Sequence, residues 1–308
     1  MEVLFQSIEV LRLKFKPLTG RNIIKIHEYI VKTYNNADES AYEYNVLSNI
    51  ALSKPITFKV PKVFKLLKIR GRSTLIMEYI AGRHLDKYIL NFLLCGNSDA
   101  VKIFYRLGKA VKELHNLGLD GLRGSSLPSS CSELKNEIVE LSKRLVAWRL
   151  IDHKLSNAIL NSLEKIDLSD EVFFPASLHG ELYFTHILLQ DGKIILLDFH
   201  NAQKGPSYFD LAMFSTSLYI SLAFPLCSQK QFTLLIEAFW KGYYGKNLNT
   251  DLIKSLKLAE LYVALRGVLT YTRDLCAKNS PAIRLITTFK IRRLTASIKE
   301  VILPKLIL

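Results

Sequence analysis

The chain has 308 residues, 49% of them hydrophobic, and only nine prolines, a composition that buries a full core and excludes intrinsic disorder. Its 42 Lys and Arg against 28 Asp and Glu leave a formal net charge of +14, which favours anionic partners such as phosphorylated metabolites, acidic lipid or nucleic acid. No uninterrupted apolar run reaches the roughly 18 residues of a membrane-spanning helix. The start, Met1 to Gln6, lacks the basic and apolar regions of a signal peptide, and the four cysteines show no paired spacing, so a cytoplasmic protein with reduced thiols is expected. A solvated, lysine-rich surface without a partner accounts for the charge equally well.

Three strands are expected first: Val10–Phe15, Ile23–Ile26 and Tyr29–Thr33, the last two joined by a His27-Glu28 turn. Between the first two lies a loop, Lys16 to Asn22, with a single glycine, Gly20. Lys32 sits in the apolar run Tyr29 to Tyr34, where an ammonium must turn outward or find a buried anion. Eleven residues on, Glu43 opens the helical pattern Glu43, Val46, Leu47, Ile50, and Glu39 is the competing partner for the lysine. Two more strands, Val63–Ile69 and Ser73–Tyr79, meet at a Gly71-Arg72 turn. Helical spacing then dominates: Val101–Leu117 with Gly118 placed to cap it, a helix opened by the capping box Ser130 to Glu133 and running to about Trp148, and Asp152–Ile166.

The stretch from Leu178 to His200 holds the chemistry. Ile187–Leu189 and Ile194–Leu197 flank Asp191-Gly192, the preferred pair for a tight hairpin turn. A hairpin returns the residues after its second strand to those before its first, so Glu181 and His186 are expected beside Asp198. Two carboxylates and an imidazole there suit a divalent metal and a general base; the plain alternative is a polar rim on an ordinary hairpin. Four helices come next, Leu211–Leu222, Gln231–Tyr244, Asp251–Asp274 and Ile283–Leu303. Arg266, Arg273, Arg292 and Arg293 on them either meet an anionic acceptor or face solvent. The apolar, basic tail from Val301 to Leu308 either docks on these helices or touches an acidic membrane surface. There is no internal repeat, zinc spacing, Walker loop, nucleophile elbow or nucleic-acid motif.

The order His179-Gly180-Glu181, four residues, His186, a hairpin, Asp198, then Gly205-Pro206 and Asp210-Leu211-Ala212 resembles the catalytic core of the kinase-like small-molecule phosphotransferases, the aminoglycoside phosphotransferases and choline kinases. Their pattern is His-Gly-Asp, four residues, Asn, a hairpin, then Asp. The resemblance implies an α+β, bilobal protein-kinase-like fold, with a small β-rich N-lobe at 1–81 and a larger helical C-lobe at 82–308. It implies ATP and Mg²⁺ or Mn²⁺ as cofactors and transfer of the γ-phosphate to a hydroxyl of a small molecule. Lys32, oriented by Glu43, would hold the phosphates, with Arg21 as a further phosphate contact. The segment Met77, Glu78 to Ile80 would receive adenine. Asp198 and His186 would bind the metal, Glu181 would take the acceptor hydroxyl, and His179 and Asp210 would brace the catalytic loop. His115, in a Leu-His pair at a helix end, would be structural.

Two positions depart from that pattern, Glu181 for Asp and His186 for Asn. Tyr183 with His186, and the run Asp198 to Gln203, are similar to the lipopolysaccharide core heptose kinases, which carry Tyr-x-x-His and Asp-Leu-His-Arg-Ala-Gln. An imidazole ligand implies a preference for Mn²⁺ over Mg²⁺. From Asn201 onward 15 Lys and Arg face 6 Asp and Glu, so a neutral or anionic acceptor, a sugar or glycoconjugate, is expected rather than a polycation. The competing expectation is a nucleotide-binding pseudokinase or scaffold, because both departures fall in the catalytic loop. A protein kinase ranks last, since Gly180 stands where such enzymes carry arginine and the span from Asp198 to Asp210 is short.

Overall fold

A computed structural model of the chain describes residues 22–69, 71–96, 98–164, 166, 170–220, 229–245, 248–277 and 281–307. The expected strand Val10–Phe15 and the loop with Arg21 lie outside the described residues. The hairpin β1 (Asn22–Ile26) and β2 (Tyr29–Tyr34) turns at His27, which takes a left-handed φ of 51°. Helix α1 (Ala37–Leu52) comes next, its first turn capped by the Asn36 side chain, which accepts from the Asp38 N–H. Strands β4 (Val63–Ile69) and β5 (Arg72–Glu78) complete an antiparallel sheet of order β1-β2-β5-β4.

Alternation decides which side chains meet the helix. Tyr34, Leu75 and Met77 join the main core with Val46, Leu47 and Ile50 of α1. Val31 and Ile76, one residue out of phase, form a separate small cluster with Ile26 on the other face. Lys32 pairs in register with Leu75 and therefore lies on the α1 side.

The hairpin after Glu181 forms as expected, with β9 (Ile187–Gln190) and β10 (Lys193–Leu196) joined by Asp191 at φ 49° and Gly192 at φ 72°. A pairing absent from the sequence expectations enlarges it. β3 (Phe58–Lys59) runs parallel to β10 and β6 (Arg83–His84) antiparallel to β9, giving the order β3-β10-β9-β6. A third sheet, β7 (Arg123–Gly124), β11 (Gln203–Pro206) and β8 (Pro175–Leu178), supports the residues just before and just after the hairpin.

The rest is helical. α2 (Leu85–Cys95), not expected from the sequence, buries Leu85, Ile89 and Phe92, spaced four and three residues apart as one helix face requires. α3 (Asp99–Asn116), α4 (Cys131–Ala147) and α5 (His153–Leu163) match the expected helices to within a turn. α4 carries its foreseen cap, Ser130 Oγ accepting from the Glu133 N–H. α6 (Tyr208–Tyr219), α7 (Gln229–Tyr244), the long α8 (Thr250–Ala277) and α9 (Pro281–Ser297) complete the bundle. The expected single helix Ile283–Leu303 is instead broken by a π-helical turn, Ile298–Ile302, after which α10 (Leu303–Ile307) begins. Pro304, which has no N–H to give to the helical ladder, follows closely on this π-helical turn. The tail packs inward: Val301, Ile302, Leu303 and Leu306 are all buried in the main core. Among the described residues no helix is long and apolar enough to cross a membrane.

Candidate active site

The buried anion that Lys32 needs is supplied twice. Its Nζ lies 2.7 and 3.0 Å from the carboxylate oxygens of Glu43 and 2.7 Å from Asp198 Oδ1. Lys32 is 3% and Glu43 1% exposed, so each charge is neutralised by the other in a poorly solvated place. Tyr34 OH donates to Glu43 as well. Glu43, not Glu39, is the helix partner of the lysine. Tyr42, beside it on α1, donates its hydroxyl to the Ala202 carbonyl and accepts from the Arg123 N–H, tying α1 to the chain beyond Asp198.

The hairpin brings Glu181 and His186 to Asp198, as their sequence order implies. His186 Nδ1 donates to the Glu181 carbonyl at 2.9 Å, which orients the ring and sets its Nε2 3.8 Å from Asp198 Oδ2. Asp198 takes a left-handed φ of 67°, a conformation that Asp tolerates better than most residues. Burial pushes its carboxyl up, but the hydrogen bond from His200 and the Lys32 ammonium outweigh this and hold it well below the ordinary carboxylate range.

His200, which carried no expected role, bridges the two acids. Its Nδ1 is 2.6 Å from Asp198 Oδ1 and its Nε2 3.3 Å from Glu181 Oε2. Asn201 donates to the same Glu181 oxygen at 3.0 Å. Glu181 Oε1 has no hydrogen-bond partner among the described residues. The signal for His200 was its place two residues after Asp198, within the run Asp198 to Gln203 that resembles the heptose kinases, a resemblance to which no role for this histidine was attached. Glu181, Asp198 and His200 offer ligand atoms within 4.8 Å of one another. Donors 3.8 Å apart, as in His186 and Asp198, also fit one ion at bonds of about 2.1 Å, whose cis and trans ligands lie ~3 to 4 Å apart. The set of imidazoles and carboxylates therefore suits a divalent cation.

The loop carrying Glu181 is held from below. Asp210 accepts from the backbone N–H groups of His179 at 2.6 Å and Gly180 at 3.0 Å, and from His115 Nε2 at 3.1 Å, while His115 Nδ1 meets Tyr243 OH at 2.8 Å. His179 donates Nε2–H to the Leu197 carbonyl at 2.8 Å, and burial lowers its pKa to about 4, so the ring is neutral. Gly180 has φ 79°, and a Cβ there would stand 1.8 Å from the Asn201 carbonyl oxygen. This close approach explains why the arginine of protein kinases has no counterpart here.

Beside Glu181 opens a cavity of about 360 Å³, lined by Gly180, Glu181 and Asn201 on the hairpin side and by Phe209, Arg266 and Tyr271 from α6 and α8. Of the four arginines singled out in the sequence, Arg266 is the one that lines it. Met77, expected near adenine, is buried against the core, and Ile80 packs on Leu188 and Ile195 of the hairpin. The Glu78 N–H donates to the Lys62 carbonyl and the Tyr79 N–H to that of Glu28, each at 2.8 Å. The Ile80 N–H has no backbone partner among the described residues.

These features agree with comparisons to known proteins. The profile of the phosphotransferase enzyme family matches residues 18–243. No curated protein sequence matches the chain. Among solved structures, a choline/ethanolamine kinase family protein from Mesorhizobium loti is similar with a TM-score of 0.59 at 13% identity, over 98% of this chain and 97% of that one. APH(2")-IIa in complex with gentamicin gives 0.54 and 15%, over 94% and 95%. An amicoumacin kinase in complex with AMP-PNP, Ca²⁺ and amicoumacin gives 0.52 and 13%, over 96% and 97%. At these identities the likeness is one of fold, the bilobal kinase-like fold of small-molecule kinases. The family match covers well over half of the chain, which therefore belongs to the phosphotransferase enzyme family and is a kinase-type phosphotransferase acting on small molecules.

Proposed function

We propose that the protein transfers the γ-phosphate of ATP to a hydroxyl of a sugar or glycoconjugate bound in the cavity beside Glu181. The observation that carries this is the convergence of Lys32, Glu43, Asp198 and Glu181 from separate elements into one linked cluster, of which Glu181 also lines that cavity. The lobe boundary falls near Gly82, and the Ile80 N–H is the donor for the adenine edge. Lys32 holds the α- and β-phosphates, kept in place by Glu43 and Tyr34.

Asp198 with His186 or His200 would hold the divalent metal, which neutralises phosphate charge when bound. Two candidate imidazole ligands favour Mn²⁺ over Mg²⁺. The acceptor hydroxyl gives its proton to Glu181 Oε1 as its oxygen forms the new bond to the γ-phosphorus. The bond from that phosphorus to the β–γ bridging oxygen breaks, and ADP leaves. Glutamate is one bond longer than the aspartate of the related enzymes. Here its other oxygen is tied back by His200 and Asn201, which keeps the longer arm from wandering.

ATP turnover with Mg²⁺ and with Mn²⁺, measured for the wild type, Glu181→Gln and Asp198→Asn, tests this. Turnover falling by about 100-fold or more in both variants, with nucleotide binding kept in Glu181→Gln, is expected. Nucleotide binding without turnover under any acceptor would make the protein a pseudokinase. Higher turnover with Mg²⁺ than with Mn²⁺ would remove the metal preference.

A further inference from the structure

We propose that the acceptor carries an anionic group, a phosphate or carboxylate on a hydroxyl-rich body, and that Arg266 binds it. This deepens the reading of the cavity as the acceptor site and rests on it. Among the described residues lining the cavity, Glu181 is the one acid and Arg266 the one cation. Glu181 already has His200 and Asn201 on one oxygen and belongs to the group of side chains that could hold a metal ion. In the proposed reaction Glu181 Oε1 is taken by the acceptor hydroxyl, so a basic occupant finds no second carboxylate among the described lining residues, and Arg266 has no carboxylate partner among the described residues.

Arg266 is nonetheless held in place. Its Nη1 donates to Tyr262 OH, one turn earlier on α8, at 2.9 Å. Its guanidinium carbon lies 5.6 Å from the centre of the Phe209 ring and 5.4 Å from that of Tyr262, close enough for attraction to both π-systems. A guanidinium fixed by one nitrogen keeps its remaining N–H donors for a planar or tetrahedral oxyanion, the geometry for which arginine is suited.

Lys290 sits 4.8 Å over the ring of Tyr271, a lining aromatic. The carboxylates that act on this wall without lining the cavity are Glu137 of α4, near Tyr262, and Asp274 of α8 itself, near Tyr271. The other polar groups of the lining are hydroxyls and amides, among them Thr270, Tyr271, Asn201 and Gln203, which match the hydroxyls of a sugar. A polycation would bring like charge against Arg266 as the site closes, and a neutral sugar would leave the guanidinium without a counter-charge.

The test is binding of glucose, glucose 6-phosphate, glucuronate and kanamycin, each titrated calorimetrically into the wild type, Arg266→Gln and Arg266→Lys with AMP-PNP and Mn²⁺ present. At least one of the two anionic sugars should bind about tenfold or more tighter than glucose, and kanamycin weakest. The phosphate and carboxylate arms tell which oxyanion is read. Arg266→Gln should erase the preference and Arg266→Lys keep part of it. Equal binding of neutral and anionic sugars, no binding of either anionic sugar, tightest binding of kanamycin, or an unchanged preference in Arg266→Gln would overturn the proposal. AMP-PNP binding in the same titrations separates the outcomes: if it persists, the phosphotransferase reading stands alone, and if it is absent, both fail.

Discussion

Replacing Lys32 by methionine keeps the length of the side chain and removes only its charge. Lys32 Nζ makes two contacts to Glu43 and one to Asp198. Asp198 retains His200 and is partly open to solvent, with 24% of its side chain exposed. Glu43 is 1% exposed and, among the described residues, keeps only the Tyr34 hydroxyl. The loss therefore falls on Glu43, a carboxylate stranded in the core, and breaking a buried pair in this way costs about 3–5 kcal/mol. Removing both charges, in Lys32→Met with Glu43→Leu, replaces the pair by apolar groups of similar size and should cost less than ~2 kcal/mol. The two changes thus couple by a few kcal/mol, far beyond the few tenths expected of independent sites. Urea unfolding of the wild type, both single variants and the double variant measures this cycle. A Lys32→Met loss below ~1 kcal/mol, or additive single changes, would refute the claim that burial makes these charges depend on each other.

Acid should weaken the fold through His179, whose native pKa of about 4 lies below the ordinary histidine value of 6.5. As pH falls below 6.5 the unfolded chain takes up this proton first, so stability present above 6.5 is lost progressively down to about 4. The loss between about pH 7 and about pH 4.5 is about 2 kcal/mol, and urea midpoints at the two pH values should show His179→Gln losing less by that amount; equal losses would contradict it. Gly180→Ala sets a Cβ 1.8 Å from the Asn201 carbonyl and displaces the partner of Glu181. A fall in kcat of about 100-fold is expected from a misplacement near ~1 Å, and unchanged turnover would show that the loop yields freely. Asp210→Asn presents an amide to backbone donors that Asp210 now accepts from. A loss of about 2–3 kcal/mol in unfolding free energy is expected, and a loss within about 0.5 kcal/mol would remove Asp210 as the brace of the loop, since ordinary surface changes are of that size.

Much of the site was legible because its residues are ordered along the chain by one hairpin. Asp191-Gly192 sets the turn, and the turn brings Glu181 and His186 to Asp198. The Lys32–Glu43 pair was legible for a different reason: a lysine amid apolar strand residues turns outward or needs an anion, with Glu39 and Glu43 both in reach, and the resemblance to the small-molecule phosphotransferases favoured Glu43. The features that stayed hidden depend on contacts between distant segments. The parallel pairing of Phe58 and Lys59 with Ile194 and Ile195 involves a two-residue strand with no alternation to detect. The bridge made by His200 depends on how the chain turns after Asp198, with its left-handed φ. Arg266 could not be told from Arg273, Arg292 or Arg293, because helical spacing alone does not say which face α8 turns toward the hairpin. Helix α2 was missed although Leu85, Ile89 and Phe92 have the right spacing; its short length between β6 and α3 gave the pattern little weight.

Calorimetric titration of AMP-PNP, with and without a divalent cation, into the wild type and Asp198→Asn tests the central assignment most directly. Asparagine tolerates the left-handed φ of position 198, so that variant changes the charge and leaves the backbone in place. Binding that requires the cation and is lost in Asp198→Asn is the predicted result. Absence of binding in the wild type, or binding of equal strength without the cation and in the variant, would contradict the assignment of Lys32, Glu43 and Asp198 as the nucleotide–metal site.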